Sequence, residues 1–215
     1  MSVPLFFPLR LLHLLLLWSV ILGSLGQAEE QPVTPRKLEP LLLLPEPRAM
    51  RTELSLVPRD SQQTVFSAAR ETTEVPGVGV YSNEEFRRLG LSLETFAARA
   101  KKAADRLLAE VKPDLVKGSS GEILYAVYRG PRPIMASLLV APTLPAVAES
   151  LLGGPAWAIL PDRHSLYLFR AEPAAVAAFA QDLAERFKSD PHAASVEVFA
   201  LQPGQEPRVV GSVGD

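Results

Sequence analysis

Residues 156–169 read AWAILPDRHSLYLF, and this stretch decides the fold. Two apolar runs, 156–160 and 166–170, flank the polar sequence PDRHS at 161–165. Short apolar runs bounded by turn residues predict strands, and a short connection between two strands makes them antiparallel. The second run is apolar at successive positions, which is typical of a strand covered on both faces. It therefore predicts a central position in a sheet.

The rest of the chain supplies helices and strands around this hairpin. Further strands are predicted at 122–128, 134–140 and 195–201, and helices are predicted to start after Ser82, Ser92 and Thr143 and at Pro173. The resulting order is helix, helix, strand, strand, helix, strand, strand, helix, strand. This order predicts an α+β fold, in which a mostly antiparallel sheet is covered by helices on one side.

Composition divides the chain into four parts. Residues 1–28 are predicted to be a secretory signal peptide, 29–62 a disordered tether, 63–203 the α+β domain and 204–215 a flexible tail. The tether is rich in proline, which removes backbone donors and disfavours regular structure. Its LLLL run at 41–44 either docks on the domain or stays exposed.

The N-terminal sequence predicts export. Arg10 precedes an apolar block at 11–22, and small residues follow up to Ala28, where we expect cleavage. The alternative is an uncleaved anchor formed by residues 3–25, which would be the chain's only contact with a membrane. We prefer cleavage because the strongest apolar block is too short to span a bilayer. The protein is therefore predicted to be exported, to the periplasm or the extracellular space.

The composition excludes several classes of function. The chain has no cysteine, so it has no disulfide, no thiolate metal site, no thiol nucleophile and no lipoprotein anchor. Loss of residues 1–28 would remove one basic residue, which leaves 21 basic against 24 acidic residues and a net charge of −3. This mild charge gives no reason to expect nucleic acid or an anionic membrane as a partner.

The polar residues at 161–165 are the weak candidates for a catalytic site. Asp162 and His164 could form an oriented base, and Ser165 could act as a nucleophile if its hydroxyl reached the imidazole. In an extended chain, however, Ser165 would face the opposite side from Asp162 and His164. Pro-Asp is favoured in tight turns, so we prefer a solvent-exposed hairpin turn that includes Arg163 and has no catalytic role.

No cofactor or metal site is predicted. The two histidines outside the signal segment, His164 and His192, do not have a metal-binding spacing, and Asp190-Pro191-His192 indicates a turn at a helix end. The loop at 117–121 precedes a strand, whereas phosphate-binding loops lead into a helix. Tyr125, Tyr128, Arg129 and Arg132 could form a binding edge, but packing in the core and at its rim is the simpler interpretation, and Trp157 is predicted to lie in the core.

Three segments together resemble a known family. They are LGLSLETFAARAKKAADRLL at 89–108, IMASLLVAPTLPAVAESLLGGPAWAILPDRHSLYLF at 134–169 and DPHAASVEVFAL at 190–201. Their order and spacing resemble the bacterial uncharacterised proteins of the YtpQ type. Pro161 and Arg163 stand where that family has its proline and arginine, whereas His164 stands where it usually has an aspartate. The resemblance implies the fold but no activity.

Three functional hypotheses follow. The preferred one is a non-enzymatic module outside the cytoplasm that binds a ligand or an unknown protein partner. The alternative is a hydrolase or transferase with its site at 161–165. A third is a ligand pocket between the sheet and the helix at 92–111.

Overall fold

A computed structural model describes residues 41–72 and 77–214, which belong to one compact unit. The predictions for residues 1–40, including the signal peptide, lie outside the described residues. The described part is an α+β fold, as predicted from the sequence, with antiparallel strand pairs in two sheets.

The elements differ in order from the prediction. The strands are β1 Leu41–Pro47, β2 Ser55–Leu56, β3 Thr64–Thr72, β4 Gly77–Val80, β5 Asp114–Lys117, β6 Ile123–Arg129, β7 Ala156–Ile159, β8 Ser165–Arg170, β9 Glu197–Leu201 and β10 Arg208–Ser212. The helices are α1 Asn83–Arg88, α2 Leu93–Glu110, α3 Leu144–Leu152, α4 Pro173–Ala177 and α5 Ala180–Ser189. Two 3-10 helices, Arg48–Met50 and Met135–Val140, complete the described elements.

The larger sheet contains the two strands and the turn of residues 156–169. Its strand order is β10-β9-β7-β8-β6-β5, and each neighbouring pair is antiparallel. The central position predicted for residues 166–170 is confirmed, because β8 pairs with β7 on one side and with β6 on the other. Leu166 and Leu168 are buried in one hydrophobic cluster and Phe169 in another, so both faces of this strand are covered.

The smaller sheet contains a segment that was predicted to be unstructured. β1 pairs with β3, and Leu42, Leu43 and Leu44 are almost fully buried. The prediction that no regular element runs through 29–62 is therefore wrong for residues 41–47, and the LLLL run docks on the domain. Within the described strands β1 pairs with β3 alone, and an edge strand tolerates proline because one row of its N–H groups needs no partner in the sheet.

The predicted helices are largely present. Ser82 caps α1 in a complete capping box with Glu85, and Ser92 caps α2 through the backbone N–H of Thr95. The strand predicted at 134–140 is wrong, because Met135–Val140 is a fully buried 3-10 helix. A short apolar run cannot distinguish a buried strand from a buried helix, and Met, Ala and Leu favour the helical form.

Packing on the larger sheet is also more extensive than predicted. α3 packs against β6, β7 and β8 on one face, while α4 contacts β8 and belongs to the cluster on the other face. The prediction of helices on one side only is therefore wrong.

The prediction of a flexible tail is wrong for residues 208–212, since β10 pairs with β9 after a turn in which Gly204 has a positive φ of 73°.

Candidate functional site

The turn at 161–165 joins β7 to β8 and lies inside the protein. Asp162 is 0% exposed and Ser165 is 1% exposed, while Arg163 and His164 are half-buried. The prediction of a hairpin tip exposed to water is therefore wrong. The turn is covered because the loop after α5 lies against it, through a backbone hydrogen bond of 3.0 Å from Arg163 N to the oxygen of His192.

The Asp162 carboxylate binds groups from its own turn and from a distant helix. Oδ1 accepts the backbone N–H of His164 at 2.8 Å, and Oδ2 accepts the Ser165 hydroxyl at 2.9 Å. Oδ2 also accepts Nε–H of Arg186, a residue of α5, and this contact raises the pKa of the Arg186 guanidinium. Both carboxylate oxygens are thus occupied by protein donors, so Asp162 holds the turn and α5 together.

Arg163 makes the equivalent connection to the smaller sheet. Its Nη2 lies 2.6 Å from Oε1 of Glu46, a residue of β1 that is 1% exposed. Nε of Arg163 is buried and forms no hydrogen bond within the described part of the chain. A buried charge is tolerated when it is paired, so this ion pair fixes β1 against the turn.

The four candidate residues do not form a catalytic triad. The Ser165 hydroxyl donates to Asp162, and the Asp162 carboxylate contacts the backbone of His164, not its ring. Nδ1 of His164 lies 3.2 Å from the carbonyl oxygen of Gly130. A nucleophile needs a hydrogen bond to its base and access to substrate, and this arrangement gives Ser165 neither.

A second buried polar cluster lies between β9 and the loop before β3. Glu197 is 2% exposed and accepts hydrogen bonds from the Ser61 hydroxyl at 2.6 Å and from N–H of Gln62 and Gln63 at 2.7 and 2.9 Å. Burial pushes the pKa of the Glu197 carboxyl upward, but these hydrogen bonds outweigh it and lower the pKa below its usual value. The carboxylate therefore has a structural role.

One cavity lies between the larger sheet and α5. It has a volume of about 400 Å³, and we call it the aromatic groove. Its lining comprises Tyr125, Tyr167, Phe169, Phe179, Asp182, Leu183, Glu185, Arg186 and Ser189. Apolar surfaces with a few polar groups are the usual composition of ligand sites, and this lining has both.

The aromatic residues of the groove are held by one another. The ring of Tyr125 lies 4.9 Å from that of Phe179 and 5.8 Å from that of Tyr167, measured between centroids. Within the described residues, neither tyrosine hydroxyl forms a hydrogen bond with another protein group. Burial raises the pKa of Tyr167, so its hydroxyl remains protonated at neutral pH and can donate a hydrogen bond.

Sequence reasoning found only part of this groove. The sequence predicts Tyr125 as a candidate for a binding edge, but it predicts Tyr167 and Phe169 only as part of a buried central strand. The period of two in β8 places Tyr167 and Phe169 on the same face, which was the available signal. Arg186 and Phe179 line the groove because of the way α4 and α5 pack on the sheet, and no local sequence pattern predicts this packing.

The other candidates have structural positions. Residues 118–122 connect β5 to β6 in a hairpin, where Gly121 has a positive φ of 88°. His192 is exposed in the turn after α5, as predicted, and Tyr128 is buried. A second cavity of about 570 Å³ includes Lys101 of α2 and lies near the place predicted for a pocket beside that helix.

The described ranges contain neither a membrane-spanning helix nor a cluster of three metal-binding side chains. Among residues 41–72 and 77–214, no helix has the length and apolar character needed to cross a membrane. In these same ranges, no three His, Asp or Glu side chains stand together in an arrangement that would hold a metal ion.

Comparison of the chain with protein-family models, curated proteins and solved structures found no match. The resemblance to the YtpQ type therefore stays a prediction.

Proposed function

We propose that this protein is a non-enzymatic binding module that acts outside the cytoplasm and binds its ligand in the aromatic groove. The observation that carries the proposal is the pair of half-buried tyrosines, Tyr125 and Tyr167, whose hydroxyls have no partner among the described residues. Their rings offer apolar area, and their hydroxyls offer directional hydrogen bonds at the same place.

The chemistry of the lining defines the class of ligand. A flat and largely apolar group can pack on the rings of Tyr125, Tyr167 and Phe179, and a polar edge on that group can bond the hydroxyls. Asp182 and Glu185 add exposed carboxylates at the rim, which favour a ligand that is neutral or positively charged. A small organic molecule or a side chain of a protein partner would supply this group.

The proposed location rests on the N-terminal sequence. The order of Arg10, an apolar block at 11–22 and small residues before Ala28 is that of a secretory signal. The absence of cysteine is compatible with export, since the described part has an extensive apolar core that does not depend on disulfides.

Binding in the aromatic groove is tested with two compound libraries that represent different classes of ligand. One contains planar aromatic fragments, and the other contains short peptides with a central aromatic or proline residue. Ligand-observed NMR should detect binders, and their affinity should fall at least about tenfold in the Tyr125→Phe and Tyr167→Phe double variant, which keeps both rings and loses both hydroxyls.

The matched control is Tyr128→Phe. This substitution removes a hydroxyl from the same strand as Tyr125 but on the opposite face of the sheet, so it should leave binding unchanged. The proposal is overturned if no member of either library binds, or if the double variant binds as tightly as the original chain. A response to the fragments alone would identify a small-molecule ligand, and a response to the peptides would identify a protein partner.

A further inference from the structure

Two histidines from different segments are held side by side. His164 belongs to the turn at 161–165, and His192 belongs to the loop that follows α5. Backbone hydrogen bonds join these segments, from Arg163 N to the oxygen of His192 and from Ala194 N to the oxygen of Pro161, each 3.0 Å long. The backbone therefore holds His164 and His192 in neighbouring segments.

The separation of the rings fits a shared metal ion. The ring centroids are 5.8 Å apart, with an angle of 58° between the ring planes. Metal–nitrogen bonds of about 2.0–2.1 Å place an ion about 3.2 Å from each ring centroid, so two imidazoles on one ion have centroids about 5–6 Å apart. The observed separation lies within this range.

The tautomer of the His164 ring is also suitable for a ligand. Its Nδ1 faces the carbonyl oxygen of Gly130 at 3.2 Å, and because a carbonyl can only accept, Nδ1 carries the proton. The neutral ring then has its lone pair on Nε2. Metal-binding histidines usually donate their other ring N–H to a carbonyl or carboxylate in this way.

The remaining groups around the pair leave it free to bind a cation. Within the described part of the chain, no ring nitrogen of the exposed His192 forms a hydrogen bond. The two nearby guanidinium groups are each paired with a buried acid, Arg163 with Glu46 and Arg186 with Asp162. The carboxylate of Asp190 accepts the backbone N–H of His192 at 2.7 Å and adds negative charge next to it.

We propose that His164 and His192 form a two-imidazole site for a divalent transition metal ion, with water completing the coordination. Imidazole ligands suit Cu²⁺, Ni²⁺ and Zn²⁺, and affinity for such sites is greatest for Cu²⁺. Two protein ligands leave the other coordination positions to water. The bound ion can therefore dissociate into solvent, and the protein does not need it for folding. This inference does not depend on the proposed binding in the aromatic groove.

The test is titration of the full chain of residues 1–215, produced without export so that residues 1–28 are retained, with Cu²⁺, Ni²⁺ and Zn²⁺ by isothermal calorimetry. The chain has three histidines, so His13→Ala is a matched control that should bind each ion as the original chain does. His192→Ala should lower the affinity for Cu²⁺ at least about tenfold, because it removes one of two ligands. His192 is exposed, so this variant should keep its fold and its melting temperature.

A second readout separates the pair from other copper ligands. Paramagnetic Cu²⁺ should broaden the imidazole proton NMR signals of His164 and His192 together, and His164→Gln should abolish the broadening at His192. The proposal is overturned if no ion binds with one-to-one stoichiometry, or if binding is unchanged in His192→Ala. It is equally overturned if His13→Ala loses the binding.

Discussion

Glu197 illustrates how one buried side chain can fix the conformation of a distant loop. Its carboxylate accepts two backbone N–H groups and one hydroxyl from residues 61–63, more than 130 positions away in the sequence. No cation contacts it among the described residues, so hydrogen bonds alone compensate for its burial. A carboxylate held in this way should be charged in the folded protein over most of the pH range.

The pH dependence of stability should therefore include a contribution from Glu197. Its pKa is lower in the folded state than the value of about 4.3 expected in the unfolded chain, so the unfolded state binds the proton more readily. The stabilisation is present above pH 4.3 and is lost as the pH falls through the lowered pKa. Urea unfolding measured between pH 7 and pH 3 should show this loss, and Glu197→Gln should reduce it.

The same substitution should lower the free energy of unfolding at pH 7 by about 1–3 kcal/mol, because the amide supplies one acceptor oxygen where the carboxylate supplies two. Glu206→Gln is the control, since the Glu206 side chain is 66% exposed. It should change the free energy by less than about 0.5 kcal/mol. Equal effects of the two substitutions would contradict the structural role of Glu197.

Residue-scale chemistry near 161–165 was only partly predictable. Pro161 and Asp162 correctly indicated a turn between two strands, because that preference is local. The burial of Asp162 was missed, since its partner Arg186 lies on a helix 24 residues later and Glu46, the partner of Arg163, lies 117 residues earlier. Ion pairs of this kind depend on tertiary packing, which no local pattern encodes.

At the scale of elements, β1 is the clearest departure from the sequence-based prediction. Its prolines, Pro45 and Pro47, predict that no regular element forms there. The structure places it at the edge of the smaller sheet, where α2 and the 3-10 helix Met135–Val140 cover it. The apolar run at 41–44 was the stronger signal, because four consecutive leucines are costly to expose and gain much from burial.

Substitution in β1 tests whether this strand belongs to the core. Leu44 is 0% exposed, so Leu44→Ala should lower the free energy of unfolding by about 2–5 kcal/mol. Leu115→Ala in β5 is the matched control, because Leu115 is 41% exposed and its loss should cost less than about 0.5 kcal/mol. Denaturant unfolding measures both. A small effect at Leu44 would mean that β1 is not an integral strand.

The helices were the most predictable elements. Ser82 and Ser92 have side chains that accept N–H groups of the first helical turn, so the signal and the structure lie within a few residues of each other. In α1 the hydrogen bonds from Ser82 and from Arg70 lower the pKa of Glu85 to about 2. By contrast, the 3-10 helix at 135–140 was not predicted, because a continuous apolar run lacks the periodicity that distinguishes a helix from a strand.

At the scale of the whole molecule, the proposed export predicts where the mature chain begins. Secretion in a bacterial host should yield a protein that begins at Glu29, since signal cleavage requires the small residues Gly26 and Ala28. Intact-mass measurement of the periplasmic or secreted fraction checks this. Replacing Gly26 and Ala28 with Trp should block processing. Recovery of an unprocessed chain in the membrane fraction would instead favour an anchor at residues 3–25.

The two sheets are joined by buried polar contacts as well as by the shared apolar core. The pair of Arg163 and Glu46 connects the turn of the larger sheet to β1 of the smaller one, and Glu197 connects β9 to the loop before β3. In addition, Asp162 connects the same turn to α5. The central claim is therefore that the charged turn at 161–165 is a structural junction.

A double-mutant cycle of Glu46→Gln and Arg163→Met tests this claim most directly. Each single change should lower the free energy of unfolding by about 3–5 kcal/mol, because it leaves the other charge buried without a partner. The double variant should recover part of the loss, which gives a coupling energy of about 1–3 kcal/mol. The exposed pair of Asp114 and Arg129 serves as the control cycle and should couple by less than about 1 kcal/mol. Coupling between Glu46 and Arg163 no larger than in the control would contradict the account.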